Sequence, residues 1–353
     1  MTYRKKHWMV WPWALAVTLS ITISPAYAAS KFPPALEKLI PAAKAEGEVS
    51  LFTGSEKFTA EEEARVSQAF KDYYGIPVKV RLTALGAHPQ SVQRLREEAK
   101  VGVKPVVDVF NASIKSLYTL QQAGVLENVQ WKEFGVNEGD VIPSVFAACI
   151  RENIRGVIYN TNFVKQTDAP RKFEDLLDPK WKGKLVAPGM PTAFPFIALV
   201  IGEDKSFNLV KRLAEEQKMS FTRTITDVPT RVASGEFLVG YGWIAGLDKR
   251  NGAPIENAPM KVGGFREAGA VVKNALHPNA ARLLVHFLSS TREGTRILYE
   301  VMNWAKSSTP GTEPYEIARG GGLLFSKDIT NELVWETKTN PELATRFGEL
   351  LGF

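Results

Sequence analysis

Short β-branched runs alternate with amphipathic helical stretches along almost the whole chain, and that alternation admits few architectures. Residues 48–52, 78–82 and 106–110 read as strands, the third apolar enough for a buried parallel position. Thr59 opens a helix with Glu62 as its capping-box partner; Val66, Ala69, Phe70 and Tyr73 form the core face and Gly75 stops it. Ser91 starts a second helix, and Ser113 caps a third that Gly124 ends. Residues 154–159, 184–187, 221–225 and 237–243 read as further strands, with helices around 193–201, 206–216, 278–288, 291–303 and 341–351. The expected fold class is α/β. Residues 249–264, rich in Gly, Pro and Asn, read as a return crossover, and Gly320, Gly321 and Gly322 as a hinge or turn.

Residues 1–28 read as a processing segment. Arg4, Lys5 and Lys6 precede an apolar run, and Ala26, Tyr27 and Ala28 supply an A-x-A cleavage site. Removing it leaves about 325 residues, enough for two lobes, and 41 basic against 38 acidic residues, a net charge of +3. That near balance argues against a nucleic-acid binder. No second apolar run reaches membrane-spanning length, so a soluble exported protein is expected. Cys149 is the only cysteine, which excludes an intramolecular disulfide and suits a small buried side chain.

Motifs for catalysis are missing. After the processing segment only His88, His277 and His286 remain, and no H-E-x-x-H, C-x-x-C, G-x-S-x-G or phosphate-loop pattern occurs. Capping or core roles suit His277 and His286. Gly240, Gly242 and Ala245 fit a dinucleotide fingerprint by accident; a bulky Trp243 lies within it and the match comes late in the chain. No cofactor is expected, and the chain is read as a non-enzyme.

Polar and aromatic groups collect instead just beyond the strands, where an open α/β sheet holds ligands. The strand ends at residues 185–194 and 237–243 are the richest. The candidate ligand-binding residues are Ser55, His88, Asn111, Ser113, Tyr159, Pro191, Thr192, Ala193, Arg223, Tyr241, Trp243 and Glu267. Arg223 offers a bidentate fork to an anion, helix starts offer free N–H groups, and Tyr241 and Trp243 offer an aromatic wall. Glu267 suits an amine, or a salt bridge with Arg266.

Four segments resemble the periplasmic solute-binding proteins of bacterial ABC importers, in the group that includes ferric-ion, thiamine and phosphonate binders. They are residues 156–161, 173–184, 231–241 and 269–289. The resemblance implies a type 2 periplasmic binding fold: two α/β lobes joined by two crossing strands, with a ligand cleft between them. The implied division is 29–148 plus 262–300 for lobe 1 and 149–261 plus 301–353 for lobe 2. It also implies a periplasmic location, a small-molecule ligand and an inner-membrane permease as partner; the protein is expected to be a monomer.

Ferric-ion binders of this family carry adjacent tyrosines where this chain has Gly240, Tyr241 and Gly242. With the second tyrosine missing, a small organic anion bearing a carboxylate, phosphate or phosphonate is the leading ligand class. Ferric ion held by Tyr159 and Tyr241 is the alternative, and an exported enzyme on the same scaffold is the alternative of another class.

Overall fold

The computed structural model describes residues 1–2, 31–329 and 331–353, so the expected processing segment lies, but for Met1 and Thr2, outside the described residues. The strands are β1 (Glu48–Phe52), β2 (Lys79–Thr83), β3 (Val109–Ser113), β4 (Val141–Ile142), β5 (Ala147–Asn160), β6 (Leu185–Pro188), β7 (Ser220–Thr222), β8 (Val239–Trp243), β9 (Ile255–Asn257), β10 (Val262–Val271) and β11 (Leu323–Phe325). The main path of the sheet runs β2-β1-β3-β10-β5-β8-β6-β7. β1 is parallel to β2 and β3, and β6 is parallel to β7 and β8. Between these two parallel groups β5 and β10 run antiparallel to each other and pass through both halves.

Local chemistry explains the element ends. The Thr59 hydroxyl accepts from the Glu62 N–H at 3.2 Å, while the Glu62 carboxylate accepts from the Thr59 N–H at 2.7 Å. This reciprocal cap starts the helix Ala60–Tyr74, and Gly75 ends it with φ of 74°. Val66, Phe70 and Tyr74 form its buried face, with Tyr73 half-buried beside them. Ser113 caps the helix Ile114–Gln122. Gly240 and Gly242 lie beneath the helix Asp227–Ala233; a Cβ on Gly240 would come within 2.7 Å of Val228. Close helix–sheet packing therefore accounts for the glycines of the accidental dinucleotide pattern.

Hydrophobic packing divides the same way as the sheet. Around β1, β3 and the outer parts of β5 and β10 lie two clusters that include Leu51, Phe70, Phe110, Leu117, Leu284 and Phe287. Around β6 and β8 lie two others that include Val157, Phe194, Leu213, Val239 and Phe347. Met302 and Trp304 pack in the first core, just past residue 300, and Trp335, Leu343 and Phe347 in the second. The C-terminal segment adds β11 to the edge of β10, and the helix Asn340–Leu351 then covers the turn Pro191–Ala193.

Some boundaries differ from the sequence expectation. The third strand starts at Val109 rather than at residue 106; the Asp108 carboxylate just before it accepts from the Ser50 and His277 backbone N–H groups. The extended stretch expected to reach residue 225 ends at Thr222. Within the expected loop 249–264 lie β9 and the first residues of β10. Arg266 and Glu267 do not pair: consecutive strand residues point to opposite faces. Arg266 forms a bidentate ion pair with Glu332, and Glu267 turns to Arg151.

Candidate functional site

The two crossing strands make the floor of a cleft between the halves, about 680 Å³ in volume. β5 meets β10 with Glu267 opposite Arg151, Phe265 opposite Asn153 and Gly263 opposite Arg155. The period of two puts Arg151, Asn153 and Arg155 on one face of β5. A register shift at Glu267 and Ala268 leaves Ile150 unpaired, so Ile150 packs in the first core while Arg151 faces the cleft.

On the first-half side, Arg151 Nε donates to Glu267 at 2.6 Å and Nη1 to Glu56 at 3.4 Å. The Arg151 guanidinium stacks over Trp304 at 4.1 Å, and Trp304 Nε1 donates to the other Glu56 oxygen at 3.1 Å. Carboxylate, guanidinium and indole thus hold one another in a fixed arrangement. His88, the first residue of the helix His88–Lys100, packs edge-on against Phe52. Burial lowers its pKa, and Glu267 only partly opposes this, so the ring is neutral at pH 7.

On the second-half side the wall is built from Thr226, Pro229 and the stretch from Trp243 to Asp248. Arg155 lies over Trp243, its guanidinium carbon 3.2 Å from the ring centre, with Phe196 and Phe265 within 6 Å. It is 8% exposed and makes no ion pair among the described residues. The acids Glu56, Glu62, Glu152, Asp248, Glu267 and Glu313 line the remainder of the cleft, with Lys57 as a further cation.

The residues anticipated from sequence do not all come together. Trp243 and Glu267 line the cleft, His88 lies within electrostatic reach of Glu267, and Ser113 is the register partner of Glu267. Ser55 is exposed beside Glu56, and Asn111 is buried on β3 with its Oδ1 lacking a partner. Tyr159, Ala193 and Tyr241 lie in the second core, Pro191 packs against Gly348, and Thr192 is exposed. Arg223 is exposed beyond β7.

Tyr241 is not an aromatic wall of the cleft. Its hydroxyl donates to the Ala193 carbonyl at 2.7 Å, its ring stacks on Phe194, and burial pushes its pKa up. Tyr159 is raised likewise by burial and by Glu256. Among the described residues no group of three or more His, Cys, Asp or Glu is arranged to hold a metal. Sequence reading missed Glu56, Arg151, Arg155 and Trp304. The available signal was the Arg-x-Asn-x-Arg alternation at 151–155, which puts three polar side chains on one strand face.

Residues 104–313 match the family model of bacterial extracellular solute-binding proteins. The chain is similar to iron-bound HitA from Pseudomonas aeruginosa, at 20% identity over 85% of this chain and 99% of that one, TM-score 0.61. It is similar to Trichodesmium IdiA (FutA) in complex with iron and citrate, at 17% identity over 87% and 99%, TM-score 0.62. A third similar structure is AfuA from Actinobacillus pleuropneumoniae with fructose-6-phosphate, at 18% identity over 87% and 99%, TM-score 0.61. At these identities the likeness is one of fold. No curated protein matches the sequence.

Proposed function

The chain belongs to the bacterial extracellular solute-binding proteins, the ligand-capturing components of ABC importers, and from that premise we propose that its cleft captures a small organic solute bearing an anionic group. One observation carries the choice of ligand: two arginines stand on the same face of β5, each stacked on a tryptophan, Arg151 on Trp304 and Arg155 on Trp243. The two tryptophans come from opposite sides of the cleft. An anion meeting that face would draw the halves together, the motion expected of two lobes hinged on crossing strands. The acids around Arg151 suit hydroxyl or amine groups on the remainder of the solute.

Ferric ion is the weaker reading. Hard cations take anionic oxygen donors, and the hydroxyl of Tyr241 is already donated inside the core. We also propose that the chain acts in the periplasm after loss of its first 28 residues, as a monomer, without catalysis and without nucleic acid. The lobes are proposed to divide as the resemblance implies, except that Met302 and Trp304 go with the first.

The test is a melting-temperature screen of organic anions, amines and ferric ion, since a ligand that binds only the folded state raises Tm. An organic anion should give a shift of several degrees. A visible tyrosinate–iron band that disappears in Tyr241→Phe would replace this reading with the ferric one.

A further inference from the structure

Beside the cleft, one face of β5 carries donors that nothing accepts from. Arg155 Nε and Nη1 and Asn153 Nδ2 are all buried without a hydrogen-bond partner. Asn153 and Arg155 are two residues apart on one strand, so the two side chains share a face about 7 Å apart along the strand. Asn153 and Trp243 both line the cleft, and Arg155 reaches it through its stack on the Trp243 ring rather than by lining it. Taking the cleft as the solute site, as proposed above, we infer that Arg155 and Asn153 form the subsite for the solute's anionic group, a carboxylate or a phosphate.

The contrast with Arg151 supports this. Arg151 already has Glu267 and Glu56, so its edge is occupied. Arg155 has rings over its faces and no acceptor at its edge. Aromatic faces attract a guanidinium but cannot accept its in-plane N–H bonds, which are the bonds that fit a carboxylate or phosphate in bidentate fashion. A buried cation without a partner is costly to the folded chain. A site awaiting a charged partner gives that cost a purpose. Burial depresses the Arg155 pKa to about 9, still above neutral pH, so the side chain remains a cation there.

Two measurements test the assignment. The first needs no ligand. If Arg155 is an unpaired cation held for a solute, Arg155→Met should raise the Tm of the ligand-free protein. A lower Tm in Arg155→Met would mark Arg155 as a structural residue and overturn the assignment. The second is titration followed by Tm and Trp243 fluorescence. The probes are inorganic phosphate, succinate and glycerol 3-phosphate, each against sodium chloride of equal ionic strength, with ethanolamine as the cationic control. At least one anion should bind the wild type, and Arg155→Met should weaken it at least tenfold. Arg155→Lys, which keeps the charge and loses the fork, should weaken it less. The probe that binds best distinguishes carboxylate from phosphate. Undiminished binding in Arg155→Met overturns the subsite while leaving solute capture intact. Binding of ethanolamine alone overturns the anionic ligand class itself, as does a wild type indifferent to every anion.

Discussion

Arg151 and Glu267 reach each other from the two crossing strands, guanidinium Nε to carboxylate at 2.6 Å, with side chains 14% and 9% exposed. The contact depends on the register shift beside Ala268, which sends Ile150 into the first core and leaves Arg151 on the cleft face. A local irregularity of pairing thereby sets the chemistry of the cleft floor.

Removing one partner of a mostly buried ion pair costs more than the pair contributes, because the survivor is left in a poor environment. Glu56 remains near Arg151 at 3.4 Å and softens the loss. Glu267→Ala is therefore expected to lower unfolding free energy by about 2–3 kcal/mol, measured by urea denaturation. A change under about 0.5 kcal/mol would mean the pair behaves as a surface contact.

Arg266 points to the opposite face of β10 and is gripped by Glu332 and by the Gly139 carbonyl. That grip ties the C-terminal segment to the crossing strand. Glu332→Ala should increase amide exchange in residues 323–340 before it affects β1 to β3, and should lower stability by about 2–4 kcal/mol. Uniform exchange across the molecule would contradict a local tie.

Glu336 is buried beside Glu332 and Glu267, and burial first, then those two charges, raises its pKa to about 8. The folded state thus holds a proton that the unfolded chain releases near pH 4.5. The folded state binds more protons between those values, so this contribution to stability is complete below pH 4.5 and lost as pH rises toward 8. Glu336→Gln should remove that slope and stabilise the protein by on the order of 3 kcal/mol at pH 8 relative to the wild type. Parallel pH profiles of the two proteins would refute the assignment.

His286 behaves in the opposite sense. Its Nδ1 lies 2.6 Å from the Tyr74 hydroxyl, and burial lowers its pKa to about 4. The unfolded chain binds the proton first, so this contribution is present above pH 6.5 and lost as pH falls toward 4. His286→Gln should flatten stability over that window by about 2–3 kcal/mol, as followed by chemical denaturation at fixed pH steps.

Gly294, in the helix Arg292–Met302, touches the preceding helix so closely that a Cβ there would sit 1.9 Å from the Phe287 carbonyl oxygen. Gly294→Ala should cost more than about 3 kcal/mol through forced separation of the two helices. Gly183→Ala serves as a comparison: a Cβ there meets nothing within 4 Å, so only its φ of 72° resists. Equal Tm losses in the two variants would argue against the clash.

Local signals carried most of the fold. β1, the reciprocal cap of Thr59 and Glu62, the stop at Gly75 and the cap at Ser113 follow from neighbouring residues, and the structure shows each. The site was less legible because it depends on which strands cross. Tyr241 and Trp243 belong to one strand end and one face, yet only Trp243 is at the cleft; Tyr241, two residues deeper along β8, is sealed by Phe194 and Ala193. Arg151 and Arg155 look like solvated charges in an apolar strand until β5 is known to run fourteen residues between two lobes. Glu56 and Trp304 are 248 positions apart and meet only through tertiary packing.

The unbroken course of β5 has a mechanical consequence. Arg151 and Arg155 ride on a single hydrogen-bonded ribbon, one turned to the acids of the first half and the other to the rings of the second. Any swivel of the halves twists that ribbon and changes the angle between the two guanidiniums. A solute held at Arg155 would act as a brace close to the fulcrum, where a small correction of angle becomes a large displacement at the outer rims.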